Sequence, residues 1–98
     1  MRILEYLDRG FYVGLQIRCT AYGTIGSVEA VVHREGKGYK VVFPTLGKAH
    51  YFSNTAQLIN YIRAIYPAVW RIDVYDVNDE LVKRIYKGVS KRLVMESL

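Results

Sequence analysis

One stretch constrains this chain more than any other: Tyr39 to Tyr66 reads as strand, turn, strand and helix without a break. Tyr39-Lys40-Val41-Val42-Phe43 has the β-branched and aromatic content of a strand, Pro44-Thr45-Leu46-Gly47 holds turn residues, and Lys48-Ala49-His50-Tyr51-Phe52 returns. Asn54 stands where a helix cap accepts from the free amides of the first turn. Gln57, three residues on, can reach back as the second half of a capping box. Pro67 disfavours helical geometry in the residue before it, so the helix ends at Tyr66. Leu58, Ile62 and Ile65 recur at helical spacing, with Ile59, Tyr61 and Tyr66 widening the stripe. Such a helix must lie on an apolar surface, and the preceding strands are the nearest one.

The remaining chain extends this unit on both sides. Ile3, Leu4 and Leu7 suit a short helix closed by Gly10, or a first strand. Phe11, Val13, Leu15, Ile17 and Cys19 alternate with Tyr12, Gly14, Gln16, Arg18 and Thr20, the pattern of a half-buried strand. Cys19, the single cysteine, is expected as a small buried residue of that strand. Tyr22 to Ser27, punctuated by Gly23 and Gly26, reads as a loop. Val28 to Arg34 follows as a strand with Val28, Ala30 and Val32 on one face, and Glu35-Gly36-Lys37-Gly38 as a hairpin turn into Tyr39. After Pro67, Trp70, Ile72 and Val74 alternate with Arg71, Asp73 and Tyr75, which predicts a strand with Trp70 anchoring the core beneath the helix.

The last stretch supports two readings. Asn78, Asp79 and Glu80 resemble a cap and acidic first turn, and Leu81, Val82, Ile85, Tyr86, Val89 and Leu93 recur at helical spacing, so a basic C-terminal helix is expected over residues 79 to 97. Gly88 opposes it, and Asp76-Val77-Asn78-Asp79 could instead turn the chain into a strand Leu81 to Tyr86. The expected fold is therefore α+β, one domain over residues 1 to 98: an antiparallel meander of three or four strands, a packed helix, one further strand and that basic helix.

With 98 residues, 51% hydrophobic and 23% charged, the composition is that of a globular chain with one core. Nine tyrosines and few amide side chains suit a heat-adapted chain. No apolar run approaches the roughly 20 residues a bilayer requires, and Glu5 and Asp8 interrupt the N-terminal apolar residues. A cytoplasmic protein without membrane association is expected.

Fourteen Lys and Arg against nine Asp and Glu leave a net charge of +5, which suits phosphate or an acidic partner. On a helical wheel Lys83, Arg84, Lys87 and Lys91 fall within about 100° of one another, and no acidic residue occurs from Leu81 to Leu93. A cationic helix face matches regularly spaced phosphates. Arg34, Lys37, Lys40 and Lys48 form a second basic group around the hairpin, with Tyr39 and Tyr51 as rings on which bases could stack. The layout from Arg34 to Tyr66, with Tyr51-Phe52-Ser53 leading into the helix, resembles the sheet-plus-helix DNA-binding domains of plant AP2 factors and phage integrase arms. The likeness covers about a third of the chain; the strand Phe11 to Thr20 and everything after Pro67 depart from it, and no functional residue is carried over.

Catalytic motifs are absent. There is no Gly-x-Ser-x-Gly, Cys-x-x-Cys or His-Glu-x-x-His, so neither a cofactor nor a metal is expected. Asp73, Asp76, Asp79 and Glu80 miss calcium-loop spacing and suit capping and turns. His33 and His50, on strands taken as neighbours, could serve as an acid and base pair on RNA. The sequence thus points to a non-catalytic nucleic-acid-binding protein of low specificity, using Lys83, Arg84, Lys87, Lys91, Arg34, Lys37, Lys40 and Tyr39. Its rivals are a protein-binding module or inhibitor working through a sheet face or edge, alone or as a homodimer, and a small ribonuclease or toxin.

Overall fold

The computed structural model describes residues 2–21 and 23–87. In chain order these form α1 (Ile3–Asp8), β1 (Tyr12–Ala21), β2 (Thr24–Glu35), β3 (Gly38–Phe43), β4 (Lys48–Phe52), α2 (Thr55–Ile65), β5 (Val69–Tyr75) and β6 (Leu81–Tyr86). All six strands join one antiparallel sheet in the order β4-β3-β2-β1-β5-β6. The first four strands form the expected meander, and β5 then docks on the far side of β1, placing β1 near the middle of the sheet.

Register follows from the apolar alternation. Val13 stands opposite both Val32 and Val74, and Leu15 opposite both Ala30 and Ile72, so one face becomes continuously apolar across β2, β1 and β5. Val41 and Ile85 extend that face outward. Both helices cover it: Ile3 and Leu7 of α1, and Leu58 and Ile62 of α2, are buried in the same cluster as the strand residues. Tyr39 lies between the helices, its hydroxyl donating to Asp8 Oδ1 at 2.9 Å and standing 3.3 Å from Thr55 Oγ1. At α2, Asn54 Oδ1 accepts from the Gln57 amide at 2.9 Å. The Gln57 side chain reaches one residue further back than a capping box requires, accepting from the amide of Ser53 at 3.3 Å.

Four expectations are corrected. Residues 24–27 belong to β2 and pair with β1 as far as Ala21 opposite Thr24, so most of the stretch expected as a glycine-punctuated loop is strand. That arm runs beyond the helices, and Cys19 on it is exposed. Residues 81–86 form β6 and not the start of a basic helix; positions 88 to 97 of that expected helix lie outside the described residues. Asp76 decides the matter locally, because its Oδ1 accepts from the amides of Asn78 at 2.8 Å and Glu80 at 3.1 Å, closing a turn in place of a first helical turn. Asp79 takes the left-handed conformation at φ 62° within it. The fourth correction concerns Trp70, which is not beneath α2.

Candidate nucleic-acid interface

The sheet face opposite the helices carries no packed element among the described residues. Its side chains are set by the alternation: Tyr12, Gly14, Gln16 and Arg18 from β1, Glu29, Val31 and His33 from β2, Lys40 and Val42 from β3, Tyr51 from β4, Arg71 and Asp73 from β5, and Arg84 and Tyr86 from β6. Aromatic rings and cations therefore share one surface. Tyr12, Tyr51 and Tyr86 are all exposed on it.

Trp70 joins this face through a β-bulge. Gln16 pairs with Arg71, yet the next residue, Ile17, pairs with Val69, so β5 spends one residue more than β1 at that point. A bulge re-aims side chains. Val69 takes the buried position expected of Trp70, and the indole turns to the open side, where its Nε1 donates to Ser27 Oγ at 3.1 Å. Ser27 Oγ donates to Gln16 Oε1 at 3.4 Å, and Gln16 Nε2 donates to Glu29 Oε2 at 2.6 Å. This chain of hydrogen bonds holds the ring in place. The Arg71 guanidinium lies 5.1 Å from the indole centroid, and the Tyr86 ring lies 6.4 Å away at 41°.

Asp73 organises the arginines. It is 0% exposed although it belongs to the open face, because Arg71 and Arg84 close over it. Arg71 Nε donates to Oδ2 at 3.1 Å and Arg84 Nε to Oδ1 at 2.8 Å. The hydrogen bond to Asp73 raises the pKa of Arg84 above its ordinary value. Arg18 is different: it is exposed and has no ion-pair partner among the described residues. It borders a cleft of about 630 Å³ with Trp70, Tyr86, Pro67 and Lys87, and among the described residues no carboxylate lines that cleft.

The residues singled out from sequence are not brought together. Opposite residues of an antiparallel pair share a face, so Lys83, facing Val74, belongs to the helix-covered side, whereas Arg84, facing Asp73, belongs to the open side. Lys87 donates to the Tyr66 carbonyl at 2.5 Å and stands 4.5 Å from the centre of its ring. Lys91 lies outside the described residues. Alternation along a strand thus disperses the cluster that a helical wheel would gather. Arg34 is bound to Asp8 at 2.7 Å, and that hydrogen bond raises its pKa. Lys40 approaches Glu35 at 3.6 Å, and Lys37 sits exposed in the β2–β3 turn. The Tyr39 ring is buried at 3% exposure, so it has no open surface to offer a base.

Topology also separates the two histidines. His33 and His50 belong to β2 and β4, with β3 between them, and to opposite faces: His33 is opposite Lys40, whereas His50 is opposite Val41. The His33 ring packs near Tyr12, and the His50 ring against Phe43 and Tyr61, so they form no acid and base pair. No group of three His, Cys, Asp or Glu able to hold a metal occurs among the described residues, and no helix there is long and apolar enough to cross a membrane.

Sequence reasoning missed Trp70 and Arg18 as a pair because simple alternation assigns them to different faces. The one available signal was indirect, a tryptophan flanked by Arg71 in a strand whose Val69 could replace it in the core. No protein-family model matches the chain, and no curated protein or solved structure does either. The functional reading therefore rests on geometry and charge.

Proposed function

We propose that this protein is a non-catalytic nucleic-acid-binding protein that uses the open face of its sheet. The observation that carries the reading is the interleaving of rings and cations on that face, with Trp70 and Tyr86 beside Arg18, which has no ion-pair partner among the described residues, on a chain of net charge +5. Rings on an open sheet stack bases of any sequence, and cations beside them hold the connecting phosphates. Low sequence specificity follows, since stacking and phosphate contacts carry little base information.

The test is fluorescence anisotropy of labelled single-stranded DNA, duplex DNA and RNA at low and moderate salt, with the wild type beside an Arg18→Gln/Lys40→Gln variant checked for folding by circular dichroism. Binding in the micromolar range or tighter, weakened by salt and by the double substitution, is expected. No binding to any of the three at low salt overturns the reading.

A second reading is favoured by a separate observation. β6 is an edge strand, and its Leu81 and Val82 are 45% and 50% exposed. An edge with apolar side chains suits strand addition by a protein partner or a second copy of this chain. Sedimentation of the isolated protein tests the second-copy form: a monomer at high concentration argues against it.

A further inference from the structure

The bulged corner of the sheet has more built into it than a generally adhesive face requires. Resting on the nucleic-acid reading above, we infer that the cleft between Trp70 and Tyr86 is a base-stacking site selective for unpaired nucleotides, with Arg18 holding the adjoining phosphate. Three observations meet there. The bulge between Gln16 and Ile17 removes Trp70 from the core and turns it outward, a placement that Val69 makes possible by filling the vacated position. The indole is then fixed from both sides, by its hydrogen bond to Ser27 and by the Arg71 guanidinium over its ring. Asp73 holds Arg71 in turn through two contacts, at 3.0 and 3.1 Å.

A ring held this way loses little freedom when a base lies on it, which is what preorganisation contributes to affinity. The cleft volume of about 630 Å³ falls within the range of small-ligand sites, so a nucleotide fits. Charge selects the occupant. Among the described residues the cleft is bordered by Arg18 and by no carboxylate, which favours a ligand carrying one negative charge per residue over a neutral peptide. Duplex DNA is excluded by geometry, because its bases are stacked on one another and present no free π-face to the ring.

Trp70 is the single tryptophan of the chain, so its emission reports on this site alone. The experiment titrates the full-length protein at low salt with four probes: oligo-dT, an abasic deoxyribose-phosphate strand of equal length, a blunt duplex and a proline-rich peptide. Tryptophan emission is followed together with anisotropy of the labelled strands. Saturating oligo-dT is expected to quench Trp70, with weaker binding and little quenching by the abasic strand and the duplex. Tyr86→Ala and Arg18→Gln, each verified as folded by circular dichroism, are expected to weaken oligo-dT binding roughly tenfold.

Several outcomes overturn the inference. Oligo-dT binding that leaves Trp70 emission unchanged and is indifferent to both substitutions removes the cleft and leaves the broader nucleic-acid reading standing. Equal or tighter binding of the duplex removes the selectivity for unpaired bases. Quenching by the proline-rich peptide and not by oligo-dT makes the cleft a peptide site, and no binding of any nucleic acid overturns both readings together.

Discussion

Asp73 and Tyr66 show how single residues set opposite kinds of stress in this fold. Asp73 is a carboxylate without solvent contact whose two oxygens are each engaged by an arginine. Removing it leaves Arg71 and Arg84 facing each other without a counter-charge. Asp73→Ala is expected to destabilise by about 2 kcal/mol in urea titration, less than a fully buried pair because both guanidinium groups keep some contact with water. Asp73→Asn, which keeps the acceptor oxygen, should lie between it and the wild type. Tyr66 carries the reverse problem, a buried hydroxyl with no hydrogen-bond partner among the described residues. Burial raises its pKa, as it does that of Tyr61. An unfolded tyrosine releases its proton near pH 10 while the folded one still holds it, so the folded state binds more protons there and stability falls as pH rises through that window. Tyr66→Phe should flatten this alkaline decline in thermal melts, with a neutral-pH midpoint equal to or above that of the wild type.

At the scale of elements, Gly38 links the β2–β3 turn to the open face. Gly36 supplies the positive φ of 57° that a two-residue hairpin turn uses at its first central position, but Gly38 is required for space. A Cβ on it would collide with the Phe52 carbonyl oxygen and with the Tyr51 ring, which lies across it. The carbonyl is backbone and cannot yield without distorting β4. Gly38→Ala is expected to lower stability by about 2 kcal/mol, whereas Gly26→Ala, whose Cβ would meet only Cys19 Sγ at 3.8 Å, should leave the denaturation midpoint nearly unchanged. The meander, α2 and β5 were legible because each presents one clean period: 2 in Val13-Leu15-Ile17 and 3.6 in Leu58-Ile62-Ile65. β6 was not, because its inward positions include Lys83 beside Ile85 while Leu81, opposite Tyr75, and Tyr86 face outward, so the strand has no apolar alternation and the helical spacing of the same residues wins by default. Trp70 was misplaced for a related reason. A bulge inserts one residue into the count, and hydrophobicity alone does not mark where. The half-burial of the strand holding Gln16 and Arg18 was legible in its alternation, but the site on it depends on that bulge.

For the whole molecule, the question is how much of the +5 charge is available to a polyanion. Much of the positive charge on the described residues is already engaged: Arg34 by Asp8, Lys40 by Glu35, and Arg71 and Arg84 by Asp73. Cations held by carboxylates neutralise few phosphates, so affinity should not scale with the Lys and Arg count. The cleft offers Arg18, which has no ion-pair partner among the described residues, and this amounts to roughly one phosphate contact and a slope of log K against log salt of about −0.7 for a single strand. A stacking site adds a component that salt leaves untouched, so binding should weaken with salt and yet persist at moderate ionic strength. Anisotropy over a salt series measures this directly. Arg18→Gln should make the slope shallower by about 0.7, one single-strand phosphate, whereas Tyr86→Ala should lower affinity at every salt concentration with the slope unchanged. A slope near −5 would instead mean that a strand wraps beyond the cleft and displaces the carboxylate partners of Arg34 and Lys40. A slope of zero would mean that the arginines serve the fold alone, because a phosphate-bound cation must release counterions when the complex forms.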